Sequence, residues 1–286
     1  MTENKDITVA YFVWLPYGIG YFKRFLKSYL LHDAACAHKL VIVFNGMSLE
    51  HPDKIEAYKE YLLSQQITTY KFIYFPGGQD IETYKQVAAQ ADTTFLLILN
   101  MFSEILADQW LAFYAANMNE QVGVISATGS RQSYYSSVYQ KHSWRWEAAK
   151  GFDHNFKKYK LFIKAFFYWR FLFKPYPNPH LRTNAFFVRT SQFLAMNFKY
   201  VDSKFKAYQF ENGRKSMTNY YLRQGLKALL MDKYGKTYEP GEWQNSSTFW
   251  INDQENLLVS DNQTGIYRDA NDAERKSMTK LAWGIS

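Results

Sequence analysis

The feature that most limits how this 286-residue chain can fold is an alternation of short apolar runs with longer stretches of helical period over residues 1–130. ITVAYFVW (Ile7 to Trp14) reads as a first strand, broken by the turn from Pro16 to Gly20. Phe22 to Leu31 then carries apolar residues at 22, 25, 26, 29 and 30, one face of a helix. KLVIVFNG (Lys39 to Gly46) predicts a buried second strand, Asp53 to Leu63 a helix, YKFIYFPGG (Tyr70 to Gly78) a third strand, and Asp80 to Ala91 a further helix. TFLLILN (Thr94 to Asn100) is the fourth strand, Leu106 to Asn119 a helix, and VGVISATGS (Val122 to Ser130) the fifth strand. This rhythm predicts an α/β fold with a mostly parallel sheet flanked by helices. Sheets of that kind place ligands at the carboxyl ends of their strands, where the polar and glycine-containing turns fall here.

At Arg131 the rhythm stops. Between Arg131 and Pro175 stand ten Lys or Arg and two acids, so this segment holds the whole formal net charge of +8. Its core, KKYKLFIKAFFYWRFLFK (Lys157 to Lys174), interleaves cations with rings and spaces Phe162, Phe166, Trp169 and Phe173 for one helical face, before Tyr176-Pro-Asn-Pro179 ends it. Such a basic aromatic insertion suits an anionic membrane surface, where cations and interfacial rings both contribute. Single-stranded nucleic acid also accepts stacking and charge, but the near-continuous FFYWRFLF favours lipid. A helix packed on the sheet with its lysines reaching solvent is the plainer alternative. Regular structure resumes with TNAFFVRT, a helix from about Glu211 to Gly225, the strand ALLMD and a polar tail. The expected organisation is an α/β half over 1–130, the insertion over 131–179, and a second half with the tail over 180–286 in the same domain.

Cys36 is the only cysteine, which excludes an intramolecular disulfide. The polar start MTENKDITVAYFVW lacks the plan of a signal peptide, and no run of about 18 to 20 uncharged apolar residues occurs. The expected location is cytoplasmic and peripheral, on the inner face of the membrane.

The order of strands and helices up to ILNMFSEILADQWL, with its L-x-D-x-W-L run from Leu106 to Leu111, resembles the GT-A nucleotide-diphospho-sugar glycosyltransferases, family 2 in particular. The resemblance covers Ile7 to Ser130 and returns over Thr183 to Asp232. It implies a Rossmann-like sheet, and a fourth strand ending in an Asp-x-Asp pair that holds a divalent cation on the donor diphosphate. This chain has Asn100 and Phe102 at those two positions, so the hard anionic oxygens that Mg²⁺ or Mn²⁺ prefers are missing from the pair. Glu104 is the carboxylate of the turn that could stand in for them, as a metal ligand or without one. A helix-capping turn with Ser103 as N-cap is the structural alternative.

In the second matching stretch, KFKAYQFENGRKSMTNYYLRQG, the resemblance places Glu211 on the first position of an acidic pair opening a helix, with Asn212 on the second. Glu211 is therefore the candidate catalytic base for deprotonating an acceptor hydroxyl. For the donor, the resemblance implies Trp14, Pro16 and Tyr17 after the first strand, Asn45 and Gly46 after the second, Gly78 after the third, and Asn100 with Glu104 after the fourth. Physically, Trp14 or Tyr17 could stack on a nucleobase and the glycines admit phosphate. Arg131, His180, Arg182, Asn184 and Arg214 are the candidate contacts to diphosphate or acceptor.

The expected activity is transfer of a sugar from a nucleotide-diphospho-sugar donor to a lipid-linked or cell-surface glycan acceptor, with inversion. A catalytically inactive relative that binds glycan, lipid or nucleic acid is the alternative, as the lost acids would allow. A nucleotidyltransferase would need a glycine- and lysine-containing phosphate loop that Pro16-Tyr-Gly-Ile-Gly20 lacks.

Overall fold

The computed structural model describes residues 6–46, 53–76, 80–139, 160, 163–197 and 203–284. Its centre is an eight-stranded sheet of β1 (Ile7–Trp14), β2 (Lys39–Asn45), β3 (Lys71–Phe75), β4 (Phe95–Leu99), β6 (Val122–Ser126), β9 (Ala185–Arg189), β10 (Lys227–Met231) and β11 (Thr237–Tyr238). Their spatial order is β11-β10-β6-β9-β4-β1-β2-β3, and two small antiparallel pairs lie outside it, β5 (Glu104–Ile105) with β12 (Val259–Ser260) and β7 (Gly129–Ser130) with β8 (His180–Leu181). All pairings are parallel except those of β9 with β4 and β6 and that of β11 with β10. The expected α/β architecture, mostly parallel with helices on both faces, is observed, and strands from both ends of the chain share the one sheet.

The strands read as continuous apolar runs because both faces are covered. Alternation along β1 divides the core: Val9, Tyr11 and Val13 face a layer with Phe22, Phe25 and Leu26 of α1 (Gly20–Leu31), Tyr58 and Leu62 of α2 (Asp53–Ser64), and Trp110 and Tyr114 of α4 (Trp110–Asn117). Ala10 and Phe12 face the other, with Tyr84 and Val87 of α3 (Asp80–Gln90), Phe193 of α5 (Thr190–Ala195), Phe210 of α6 (Lys204–Asn212) and Tyr221 of α7 (Met217–Arg223).

Two expectations need correction. The helix expected from Glu211 to Gly225 is two helices, α6 and α7, so Glu211 lies in the last turn of one rather than opening another. The break falls at Gly213, where extended backbone bridges to Phe173, the Arg214 N–H donates to the Leu172 carbonyl (2.7 Å), and Ser216 caps the next helix through the Asn219 N–H. The polar tail is also folded. It forms α8 (Asn262–Asp269) and α9 (Asp272–Trp283), each opened by a capping box, Asp261 with Thr264 and Asn271 with Glu274, and it buries Tyr267 and Trp283.

Of the basic insertion, residues 140–159, 161 and 162 lie outside the described set, Phe162 among them. The remainder includes a π-helical stretch, Ala165–Trp169, running into Arg170–Leu172. Its inner face is Ala165, Trp169 and Phe173, so Trp169 and Phe173 of the expected stripe face inward while Phe166 is exposed, and it packs on Tyr134, Phe205 and Tyr208 rather than on the sheet. Among the described residues no helix is long and apolar enough to cross a membrane.

Candidate functional site

The reversed strand β9 builds the site. Its antiparallel register sets Ala185 opposite Leu99, which brings Asn184, just before β9, to Asn100, just after β4. The Asn100 N–H donates to the Asn184 carbonyl at 2.8 Å, and the Ser103 hydroxyl donates to the same oxygen at 3.3 Å. On the other side of β9, Thr128 follows β6 and its hydroxyl donates to Asn184 Oδ1 at 2.6 Å. Asn184 is 3% exposed, and its Nδ2 has no hydrogen-bond partner. A buried amide donor left alone costs about 1–3 kcal/mol, so this group is primed to donate to a ligand oxygen.

Thr183, one residue earlier, holds Glu211. Its backbone N–H and hydroxyl both donate to Glu211 Oε2, at 3.1 and 2.7 Å, leaving Oε1 without a hydrogen-bond partner among the described residues. His180 is buried nearby. Its Nδ1 donates to the Asn178 carbonyl at 2.8 Å, and burial lowers its pKa against the opposing pull of the Glu211 charge. The imidazole is neutral, with its lone pair on Nε2.

The turn 100–103 closes on itself. Asn100 Oδ1 accepts from the Phe102 N–H (3.0 Å) and the Ser103 hydroxyl (3.2 Å), an arrangement that only a short side-chain carbonyl makes easily. The Tyr11 hydroxyl donates to the Met101 carbonyl at 2.6 Å and ties the turn to β1. Phe102 meets Tyr21 edge-on at 4.8 Å and Tyr17 at 6.3 Å, so the loop after β1 and the turn after β4 share an aromatic cluster whose outermost ring, Tyr17, is 59% exposed. Pro16 starts the 3₁₀ turn Leu15–Tyr17 that presents that ring.

Trp14 pairs in register with Asn45, and its indole covers Gly46. Gly46 has φ +77°, and a Cβ there would stand 2.7 Å from Trp14 Cζ3. Asn45 is buried, donating from Nδ2 to Thr83 Oγ1 of α3 at 3.3 Å and accepting from the Gly46 N–H at 2.9 Å. Gly78 lies outside the described residues.

The candidate cations have mostly been claimed by other groups. Arg182 is paired with buried Asp261 at 2.8 Å, and its guanidinium lies 4.2 Å from the Phe249 ring centre. Arg131 donates to Gln244 Oε1 (2.7 Å) and to the Gly241 carbonyl (2.8 Å). Arg214 donates from Nε and a terminal nitrogen to the Arg170 carbonyl, both at 3.2 Å. Sequence reasoning missed Arg24, whose guanidinium lies over Tyr21 at 4.6 Å and reaches the Glu104 carboxylate at 3.7 Å. Its signal was a cation in the first turns of the helix that follows the Pro16–Gly20 loop.

A divalent cation does not fit these residues. Asn100 Oδ1 is spent on its own turn, and Glu104 faces Arg24. Among the described residues no three His, Cys, Asp or Glu side chains cluster as metal ligands would. A polar pocket of about 360 Å³ lined by Asn117, Gln121, Lys227 and Glu239 lies elsewhere, at the amino ends of β6 and β10.

No protein-family profile and no curated protein sequence matches the chain. Among solved structures it is similar to the mannosyltransferase PcManGT from Pyrobaculum calidifontis in complex with GDP-Man and Mn²⁺, at 13% identity and a TM-score of 0.36 over 44% of this chain and 36% of that one. It is similar to S. aureus TarS in complex with UDP-GlcNAc, at 16% identity and a TM-score of 0.33 over 42% of this chain and 33% of that one. A third is the glycosyltransferase GlyE of Streptococcus pneumoniae TIGR4, at 10% identity and a TM-score of 0.36 over 66% of this chain and 35% of that one. The match thus spans about a third of each of these proteins.

Proposed function

We propose that this protein is a glycosyltransferase of the GT-A type, moving a sugar from a nucleotide-diphospho-sugar to a lipid-linked or cell-surface glycan with inversion. The observation that carries this reading is the line of hydrogen bonds from the Asn100 turn through Asn184 and Thr183 to Glu211. It sets an ionisable carboxylate with one open oxygen beside the strand end where the sequence resemblance places the donor.

In the proposed reaction the acceptor hydroxyl oxygen attacks the anomeric carbon. Its proton passes to Glu211 Oε1, and the bond from that carbon to the diphosphate oxygen breaks, the nucleoside diphosphate leaving with the electron pair. Asn184 Nδ2 donates to a sugar or acceptor oxygen. Arg24 offers positive charge to the departing diphosphate from the 100–104 turn, and Tyr17, Tyr21 and Phe102 give the base or sugar a ring to pack on. No step runs through a metal.

A screen of UDP-, GDP-, CDP- and dTDP-sugars by thermal shift, followed by turnover with the donors that bind, tests the reading. Stabilisation by none of them would overturn it. The engagement of Arg182 by Asp261 and the Asn100/Phe102 pair favour one other reading, a relative that binds such ligands without turning them over. Donor stabilisation with no transfer or donor hydrolysis would select it.

A further inference from the structure

The segment over 163–173 shows a division that a buried helix would not have. Ala165, Trp169 and Phe173 are locked inward, the Tyr134 ring stacking on Phe173 at 4.6 Å and meeting Trp169 edge-on at 4.9 Å, with Phe205 against both. Main-chain bonds to Gly213 and Arg214 fasten the same segment to the turn between α6 and α7. The rings left outside are held out by that anchoring. Phe167 is 65% exposed and Phe171 63%, with Phe166, Tyr168 and Ile163 also open to solvent.

Cations surround these rings. Between 163 and 174 the chain carries Lys164, Arg170 and Lys174 and no acid. The Arg170 guanidinium lies over Phe166 and Phe171, at 4.6 and 4.7 Å from their centres. Lys174 donates to Asn219 Oδ1 at 2.7 Å, and the charges of Arg214 and Arg223, contributed by the neighbouring turn and α7, act on it. Among the described residues none of these five cations has a carboxylate partner.

We propose that this face docks on an anionic lipid bilayer, with Phe166, Phe167 and Phe171 entering the interface and Lys164, Arg170, Lys174, Arg214 and Arg223 meeting acidic headgroups. Exposed aliphatic or aromatic patches ringed by polar groups mark contact surfaces. The charge decides which contact. A second copy of this chain would set cations against cations, which is unfavourable, whereas an acidic leaflet concentrates the opposite sign where the rings prefer to sit. The inference goes beyond the transferase reading and does not depend on it.

The test is co-sedimentation of the full chain with vesicles of phosphatidylcholine alone and of phosphatidylcholine with phosphatidylglycerol, at low and high salt. Capture by the acidic vesicles, weakened by salt and by Lys164→Glu, and lowered about tenfold or more by the Phe167→Ser/Phe171→Ser pair, is the expected result. Both phenylalanines are exposed, so the pair should melt with the wild type. Equal capture by neutral vesicles would overturn the electrostatic recognition. Absence of capture, with a dimer that the serine pair dissolves or with binding to a single-stranded RNA oligomer instead, would overturn the lipid assignment. Donor-induced stabilisation measured on the same samples separates this outcome from failure of the transferase reading.

Discussion

Thr183 grips one oxygen of Glu211 twice, through its N–H at 3.1 Å and its hydroxyl at 2.7 Å, and leaves the other oxygen open. A residue held this way can be neutralised without being displaced, because the amide oxygen of glutamine still accepts from Thr183. Glu211→Gln should keep the fold and the donor-induced thermal shift while lowering turnover by about 10²- to 10⁴-fold, the usual worth of a general base. Steady-state rates on a donor identified by the screen check it, and turnover within about threefold of wild type would remove Glu211 from the chemistry.

The strand order up to β4 was legible because each buried strand is a continuous apolar run and each helix has a clean stripe. The junction at Glu211 was not. Asn212-Gly213 and Ser216 carry stop and start signals, but the resemblance assigns Glu211 to the helix that follows, and the bridge from Phe173 to Gly213 fixes it at the end of α6 instead. The tail carried its own signals in Asp261-x-x-Thr264 and Asn271-x-x-Glu274, but its low hydrophobicity hid that Tyr267 and Trp283 anchor it. At the site, the proximity of Asn100, Thr128 and Asn184 follows from β9 running backwards, and that reversal is set by long-range pairing. Likewise Arg182 reads as a free cation in sequence, since Asp261 is far away along the chain.

Gly46 gives the donor loop a test that does not touch an ionisable group. Alanine there must take φ near +77° and push on the Trp14 ring, so Gly46→Ala should destabilise the protein by about 1–3 kcal/mol and weaken donor binding if Trp14 lines the site. Gly241→Ala, at a glycine with open space around it, is the control and should be close to neutral. Melting curves and donor titrations of the two variants decide between a shared loop effect and a local one.

The Arg182–Asp261 pair joins the site to the folded tail, with Asp261 also accepting from the Gln263 and Thr264 N–H groups as the cap of α8. Asp261→Asn keeps an acceptor for the cap but leaves Arg182 as a largely desolvated, unpaired charge over Phe249. The expected loss is about 3–5 kcal/mol, a large share of a domain's stability. Adding Arg182→Met should return much of it, since the unpaired charge is then gone. Urea denaturation of the single and double variants gives the coupling, and additive losses would show that the two side chains do not act as a pair.

The last prediction concerns pH and begins with a proton His180 does not take up. Its Nδ1–H is held by the Asn178 carbonyl, and burial, helped by the Arg182 charge and opposed by Glu211, lowers its pKa below the ordinary 6.5. The unfolded chain therefore binds a proton at pH values where the folded chain does not. This contribution to stability is fully present above pH 6.5 and is lost as pH falls through the interval down to the folded value, at up to about 1.4 kcal/mol per pH unit. His38, half-buried and donating from Nδ1 to the Cys36 carbonyl, is shifted in the same direction and adds to the slope. The lowered carboxylates, Asp92 and Asp269, are exposed and start from 3.8, so their losses come at lower pH. His180→Asn keeps a donor for Asn178 without a titrating ring. Denaturant midpoints at about pH 7.5 and pH 5.5 should therefore fall less in the variant than in the wild type. Parallel falls would mean that His180 titrates alike in the folded and unfolded chain, the pull of Glu211 cancelling burial, and a smaller fall in the wild type would mean that the Glu211 charge outweighs burial.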